Sequence, residues 1–449
     1  MRRAAPALAL TLLGAVACTS PSPAPDLSPS AGSSTPSASA PTSGEPSPSF
    51  TLPPPSTGAR SADAVRTRLC VRPSSPRPTP AQAGAVPPAV ARTETEVEQV
   101  RGLRYEDPVA VDSVTHGELV RGLDQSFDHS YPQDLMRRRS LAWSTIGVIP
   151  DGTSLRDAVH AFLSGQVIGY FDPSSGQLVF IGTDHPSPSE RFTLAHELTH
   201  ADDDQHFHLT RLNDLEDSCD DEGLMASLGA VEGSAVYFSL QVVNRFFTAQ
   251  EQDELSIGGG GFGPPPGVPT FVQQLETWPY VDGPRFITAL RSEGGLRKVD
   301  AALEQFPAST EQVMHPEKFP ADRPVEVSVP DLGPALGPGW KDLDVMDVGE
   351  EWLREALGLR IDRGDAGTAT DGWGGAQYRA WTDGSHVAVL METAWDTPED
   401  ARQFLGAMRS WIGNRADASV GAVGGDRSRV VALFASDSGT LARLASALR

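Results

Sequence analysis

Three cysteines in 449 residues are too few for a disulfide framework, so a packed core must carry the fold. Basic residues are also scarce. Thirty-six Lys and Arg stand against 59 Asp and Glu, a formal net charge of −23. That balance argues against a nucleic-acid binder, which needs a basic footprint, and against a polybasic membrane-surface protein. Beyond the N-terminus no stretch is apolar for long enough to span a bilayer. What is present is length for two or three domains, with 39% hydrophobic residues to build their cores.

The N-terminus reads as an address. Arg2 and Arg3 precede an apolar run from Ala4 to Ala17, the length of a signal-peptide core. The run ends in Ala15-Val16-Ala17-Cys18, which resembles a bacterial lipobox. Residues 1–17 are therefore expected to be a lipoprotein signal peptide and Cys18 the lipidated residue. The protein would then sit at the extracytoplasmic face of a bacterial cell membrane. From Thr19 to Ala59, 28 of 41 residues are Pro, Ser or Thr, too little apolar surface to fold. A second Pro-rich stretch, Pro73 to Pro88, extends the expected disordered tether over residues 18–92. With Cys18 assigned to lipid, Cys70 and Cys219 form an even pair outside the cytoplasm, which suggests one disulfide.

The chemistry concentrates between Ser187 and Gly233. Ser187-Pro188-Ser189-Glu190 is a helix start: a capping serine, proline at the first helical position and a glutamate to complete a capping box. The helix then carries His196-Glu197-Leu198-Thr199-His200. Histidines at i and i+4 stand on one face a turn apart, so both imidazoles can reach one tetrahedral zinc ion. Glu197 falls beside them, where it can take a proton from a zinc-bound water.

An open zinc site needs a third protein ligand, and two residues compete for it. His206 has metzincin spacing, but that pattern needs a glycine at position 203 to break the helix, and this chain has Asp203. Glu232 lies in a largely apolar helical run, Ala226 to Phe238, where a lone carboxylate is costly unless paired or metal-bound. Glu232 is the stronger candidate.

These residues carry a resemblance. The His-Glu-x-x-His helix followed by Glu232 resembles the gluzincin side of the zincin-like metallopeptidases. More closely, the chain is similar to a family of exported bacterial proteins of predicted peptidase function. The similarity runs through Gly169-Tyr170-Phe171-Asp172-Pro173, Leu194 to Phe207, Val231-Glu232-Gly233 and Trp278 to Gly283. It continues through Pro307 to Phe319, Gly372 to Gly375 and Trp395 to Pro398, so it covers roughly residues 95 to 449. Two departures stand out. Asp202 and Asp203 make the end of the motif helix more acidic than the family pattern. Ser234 stands where the family often has an aspartate, which could orient a histidine ligand. By analogy the resemblance implies that His315 hydrogen-bonds the oxyanion in catalysis, with Tyr280 a weaker candidate for the same part.

The remaining pattern is of class α+β. Residues 93–335 read as a mainly helical zincin-like domain with a small sheet. Within it, Val167 to Phe171 and Gln177 to Ile181 form a hairpin whose edge could bind an extended peptide. Asp202 to Glu222 reads as a solvated acidic loop. Val325 to Pro330 looks like an exit strand. Residues 336–449 read as a small α+β domain of order β-β-α-β-α, including a helix from Thr397 to Ile412 with Thr397 as its cap. The expected function is a zinc metallopeptidase with peptide or protein substrates. The rival is a zincin-fold envelope protein that binds a partner or peptide with little or no hydrolysis.

Overall fold

The computed structural model describes residues 48–73, 86–181, 185–258 and 267–448. The expected signal peptide and the lipid-bearing Cys18 lie outside the described residues. No helix among the described residues is long and apolar enough to cross a membrane.

The chain opens with a short strand, β1 (Ser49–Phe50), and a helix, α1 (Ala62–Leu69). Helix α2 (Pro88–Arg101), strand β2 (Ala110–Ser113) and helices α3 (His116–Ser130), α4 (Gln133–Ile146) and α5 (Leu155–Gln166) follow. Next come β3 (Gly169–Asp172), β4 (Gln177–Phe180), α6 (Pro188–Phe207), α7 (Leu212–Ser218) and α8 (Asp221–Phe246). The helical part continues with α9 (Ala249–Gly258), α10 (Thr270–Gly294), α11 (Leu296–Glu304) and α12 (Thr310–Met314). The C-terminal part holds α13 (Gly333–Leu336), β5 (Lys341–Asp347), α14 (Glu350–Gly358), α15 (Arg363–Thr370), β6 (Trp373–Thr382) and β7 (Val387–Trp395). It closes with α16 (Pro398–Ile412), β8 (Ala418–Val423), β9 (Asp426–Ala435) and α17 (Ser438–Ser446). This is the expected α+β class, mainly helical, with a three-stranded sheet of order β2-β4-β3 and a six-stranded sheet of order β1-β8-β9-β7-β6-β5.

The helical part is organised by α6, α8 and α10. Helices α8 and α10 approach closely because small residues meet: a Cβ on Gly233 would collide with the backbone of Gly283, and one on Gly283 with the carbonyl of Gly229. This crossing sets Glu232 of α8 opposite Tyr280 of α10. Pro279 and Pro284 each remove one intrahelical hydrogen bond from α10 in the same stretch. The hairpin of β3 and β4 forms as expected, in the register Gly169 opposite Phe180, and both strands pack against α6, β3 the more extensively.

The C-terminal part is two consecutive ββα units, β6-β7-α16 and β8-β9-α17, with β5 added at one edge. The capping box of α16 at Thr397 forms as read from the sequence. Strands β5 and β8 were not foreseen, and residues 325–330 form no strand. The expected boundary at 335/336 does not divide the core. Phe162, Trp143 and Phe271 of the helical part pack in one cluster with Trp352, Trp373, Tyr378 and Phe404. The C-terminal sheet is thus one wall of the helical part's own interior.

The expected tether needs a larger correction. Residues 48–73 are seated on the C-terminal sheet. Strand β1 pairs with β8 in parallel, and Phe50 is buried against Leu433, Leu444 and Trp381. Helix α1 buries Ala62 and Val65 on Val345; its Arg68 pairs with Asp342, and Arg60 just before it pairs with Asp331, both at 2.7 Å. The physical reason is that such a segment needs no core of its own. The open edge of β8 supplies backbone partners to nearly any extended sequence, and a few scattered apolar residues then suffice. Cys70 and Cys219 are disulfide-bonded with their Cα atoms 5.9 Å apart, as expected, which ties the end of α1 to the start of α8.

Candidate metal centre

Helix α6 starts as its sequence specifies. The Ser187 hydroxyl accepts from the Glu190 N–H at 3.3 Å, the Glu190 carboxylate accepts from the Ser187 N–H at 2.7 Å, and Pro188 occupies the first turn. Twenty residues then run without a break, and every side chain from Arg191 to Asp203 is buried. The two motif histidines face one point. Their Nε2 atoms are 3.2 Å apart, and Glu232 Oε2 lies 3.2 Å from that of His196 and 3.4 Å from that of His200. The three side chains are at most 2% exposed.

Three electron-pair donors thus converge at one buried point. Burial alone would push the Glu232 carboxyl up, but the imidazoles of His200 and His196 outweigh it and hold it near 2. Two imidazole nitrogens and an anionic oxygen, all mutually within 4.8 Å, are a donor set that a metal ion would complete.

The remaining candidates separate cleanly. His206 is not with the trio. Helix α6 continues through Asp203 to Phe207, so the His206 ring turns to the Arg104 carbonyl at 2.9 Å and to Asp202. Glu197 is fully buried, and its Oε2 accepts the Phe171 N–H of β3 at 2.9 Å. That bond uses a donor on the free edge of β3, whose four residues are all buried, so the expected peptide-binding edge is turned inward against α6. Tyr280 joins the trio: its ring stacks on His196 with centroids 6.2 Å apart, and its hydroxyl donates to Glu232. Burial and the Glu232 and Glu197 carboxylates raise the phenol well above its ordinary value. His315, the expected catalytic histidine, sits in a different group. Its Nε2 is 3.1 Å from Glu350 and 3.8 Å from Asp371.

The acidic end of α6 is not a solvated loop. Asp203 is buried and meets the buried guanidinium of Arg101 at 2.7 Å. Ser234 donates to the other Asp203 oxygen at 2.6 Å. The Ser234 hydroxyl therefore serves Asp203 and not a histidine. His200 Nδ1 is correspondingly buried with no hydrogen-bond partner among the described residues. Burial, with Asp203 next to it, lifts Asp202 to about 8 despite the nearby Arg101.

Sequence reading missed a cavity of about 240 Å³ that is lined on one side by Glu232 and Tyr280. Its walls are mostly apolar, and Glu222, Glu276 and Glu351 line it as well. Burial raises Glu276 to about 7 and Glu222 to about 8. The available signal was Glu276, one helical turn before Tyr280 on α10.

Comparison with known proteins adds little to this geometry. A family model described as a domain of unknown function, DUF8575, matches residues 342–442, which run from β5 into α17 and exclude the trio. No curated protein matches the chain. Among solved structures the chain is similar to a proposed hydrolase with a novel fold from Chloroflexus aurantiacus, at 15% identity over 57% of this chain and 95% of that one. The TM-score is 0.34, which does not establish a shared fold.

Proposed function

We propose that this chain is a hydrolase, and more narrowly a zinc metallopeptidase exported and held at the extracytoplasmic face of a bacterial membrane by a lipid on Cys18. The observation that carries the reading is the convergence of His196, His200 and Glu232 in a buried space with Glu197 next to them on α6. Two imidazoles and one carboxylate suit zinc, and three protein ligands leave a position open, as catalytic zinc requires. Bound there, zinc would polarise a scissile carbonyl and acidify a water. Glu197 would take the proton of the attacking water and deliver it to the leaving amine. The Phe171 N–H holds one Glu197 oxygen and so fixes the carboxylate's orientation. Tyr280, stacked on His196, is the phenol best placed to donate to the carbonyl oxygen as charge develops on it.

The test is metal content of the full chain after zinc loading, together with hydrolysis of a mixed peptide library. We expect one zinc per chain, lost in His196→Ala and in Glu232→Ala and retained in His206→Ala. Glu197→Gln should keep zinc and lose cleavage. No zinc uptake by the wild-type chain, or cleavage undiminished in Glu197→Gln, would overturn the reading.

A further inference from the structure

The cavity beside the trio has a charge balance that its walls do not resolve. Phe127, Met136, Trp143, Leu163, Val272 and Leu275 make most of it apolar. Two arginines line it, and both are committed. Arg72 pairs with Glu216 at 3.3 Å and donates to the carbonyls of His129 and Ser130. Arg139 binds Asp221 at 2.7 Å and Asp344 at 3.3 Å. Glu222, which also lines it, accepts from the Thr310 N–H and hydroxyl, whereas Glu276 and Glu351 form no ion pair among the described residues. Glu351, 2% exposed, has one oxygen buried without any hydrogen-bond partner among the described residues. Glu276 stands on α10 one turn from Tyr280, which also lines the cavity.

We propose that this cavity is the side-chain pocket of the peptide site and that it takes a basic residue, lysine or arginine, with Glu276 meeting the cation. The proposal rests on the metallopeptidase reading and names its substrate class. A long aliphatic stem fits walls of this kind, because lysine and arginine bury their methylenes and carry the charge at the tip. A purely apolar occupant would leave both carboxyls in an apolar, desolvated space with nothing to pair them. An acidic occupant would add a third like charge. A cation relieves this cost while leaving the carboxyls ionised, and burial strengthens that pairing relative to water. Glu276 raised to about 7 by burial is consistent with a carboxyl that lacks its partner until the pocket fills.

The experiment has two arms. The first compares zinc-loaded wild type and Glu276→Gln on peptides that differ at one position, carrying lysine, norleucine or glutamate there. Norleucine keeps the lysine stem and removes the charge. Wild type should favour lysine over norleucine in kcat/KM by about tenfold or more, and Glu276→Gln should bring that ratio close to one. A wild-type ratio near one, or a ratio unchanged in Glu276→Gln, overturns the proposal. The second arm needs no catalysis: calorimetry of hexylamine and 1-hexanol binding to the wild-type chain. If no peptide is cleaved at all, the peptidase reading fails, and this arm still judges the pocket. Amine binding about tenfold tighter than alcohol supports a cation pocket, and equal binding overturns it. Because hexylamine binding is read on the wild type, a Glu276→Gln chain that fails to fold does not spare the proposal.

Discussion

Two groups among the described residues combine histidine and carboxylates closely enough to hold a metal ion, and they are built differently. At the first, His196 and His200 point Nε2 atoms at each other and at Glu232, all within 3.4 Å and all buried. At the second, a single histidine, His315, bonds Glu350 at 3.1 Å while Asp371 at 3.8 Å is exposed. There one imidazolium and one Glu350 oxygen satisfy each other, while the other Glu350 oxygen is buried without a hydrogen-bond partner among the described residues. The first lacks even that charge balance. Two imidazoles and one carboxylate offer three acceptors and too few protons, in a space where an unsatisfied donor set is costly. The contrast teaches that proximity of His and Glu is not the signature of a metal site. The signature is a surplus of lone pairs aimed at one buried point.

If the contrast is right, the largest effects come from the first group. His196→Ala or Glu232→Ala should abolish zinc binding and with it all hydrolysis, and zinc should raise the melting temperature of the wild type but of neither variant. A melting temperature that still responds to zinc in Glu232→Ala would break the comparison at its stronger end. Next in size is Glu197→Gln, which should leave zinc stoichiometry at the wild-type level and lower kcat by about 10²–10⁴-fold. Tyr280→Phe follows, with zinc kept and kcat down by about 10²-fold, the usual cost of one lost donor to a developing oxyanion. The same Tyr280→Phe rate as wild type, measured under saturating peptide, would remove the phenol from the mechanism.

The local parts of this site were legible in the sequence. Ser187, Pro188 and Glu190 specify the start of α6, and the i, i+4 spacing of His196 and His200 follows from helical geometry alone. The apolar surroundings of Glu232 pointed to a partnered carboxylate, and Glu232 is where the imidazoles meet. What failed were statements that depend on chain segments far apart in sequence. Asp203 reads as a surface acid until Arg101, 102 residues earlier, is placed beside it. The segment around Phe50 has a disordered composition, yet the edge of β8 gives it backbone partners that no side-chain pattern advertises. The Gly233–Gly283 contact, which brings Tyr280 to His196, involves two glycines that carry no periodic signal. His315 was singled out by resemblance and chemistry, and neither could foresee that Glu350 would be its neighbour.

The smallest effect belongs to the second group and has a pH signature that the first lacks. His315 is held above its ordinary value, first by its hydrogen bond to Glu350 and then by the charges of Glu350, Asp371 and Glu317, while burial opposes them. A histidine whose folded pKa is raised stabilises the fold fully below its unfolded pKa, about 6.5, and that contribution is lost as pH rises through the folded pKa. Burial chiefly raises the Glu350 carboxyl as well, so the ion pair is intact only between the two titrations. His315→Gln should therefore destabilise the chain by about 1 kcal/mol or less at mildly acidic pH, since the part-exposed ring is screened by solvent. The difference from wild type should shrink at alkaline pH. Zinc stoichiometry should stay unchanged, and hydrolysis should fall by less than about tenfold, well short of the loss expected for a group at the oxyanion. Urea titrations of both chains at mildly acid and alkaline pH, with metal content measured alongside, check all three. A loss of zinc, or a drop in kcat as large as that of Glu197→Gln, would place His315 with the first group and dissolve the distinction between the two.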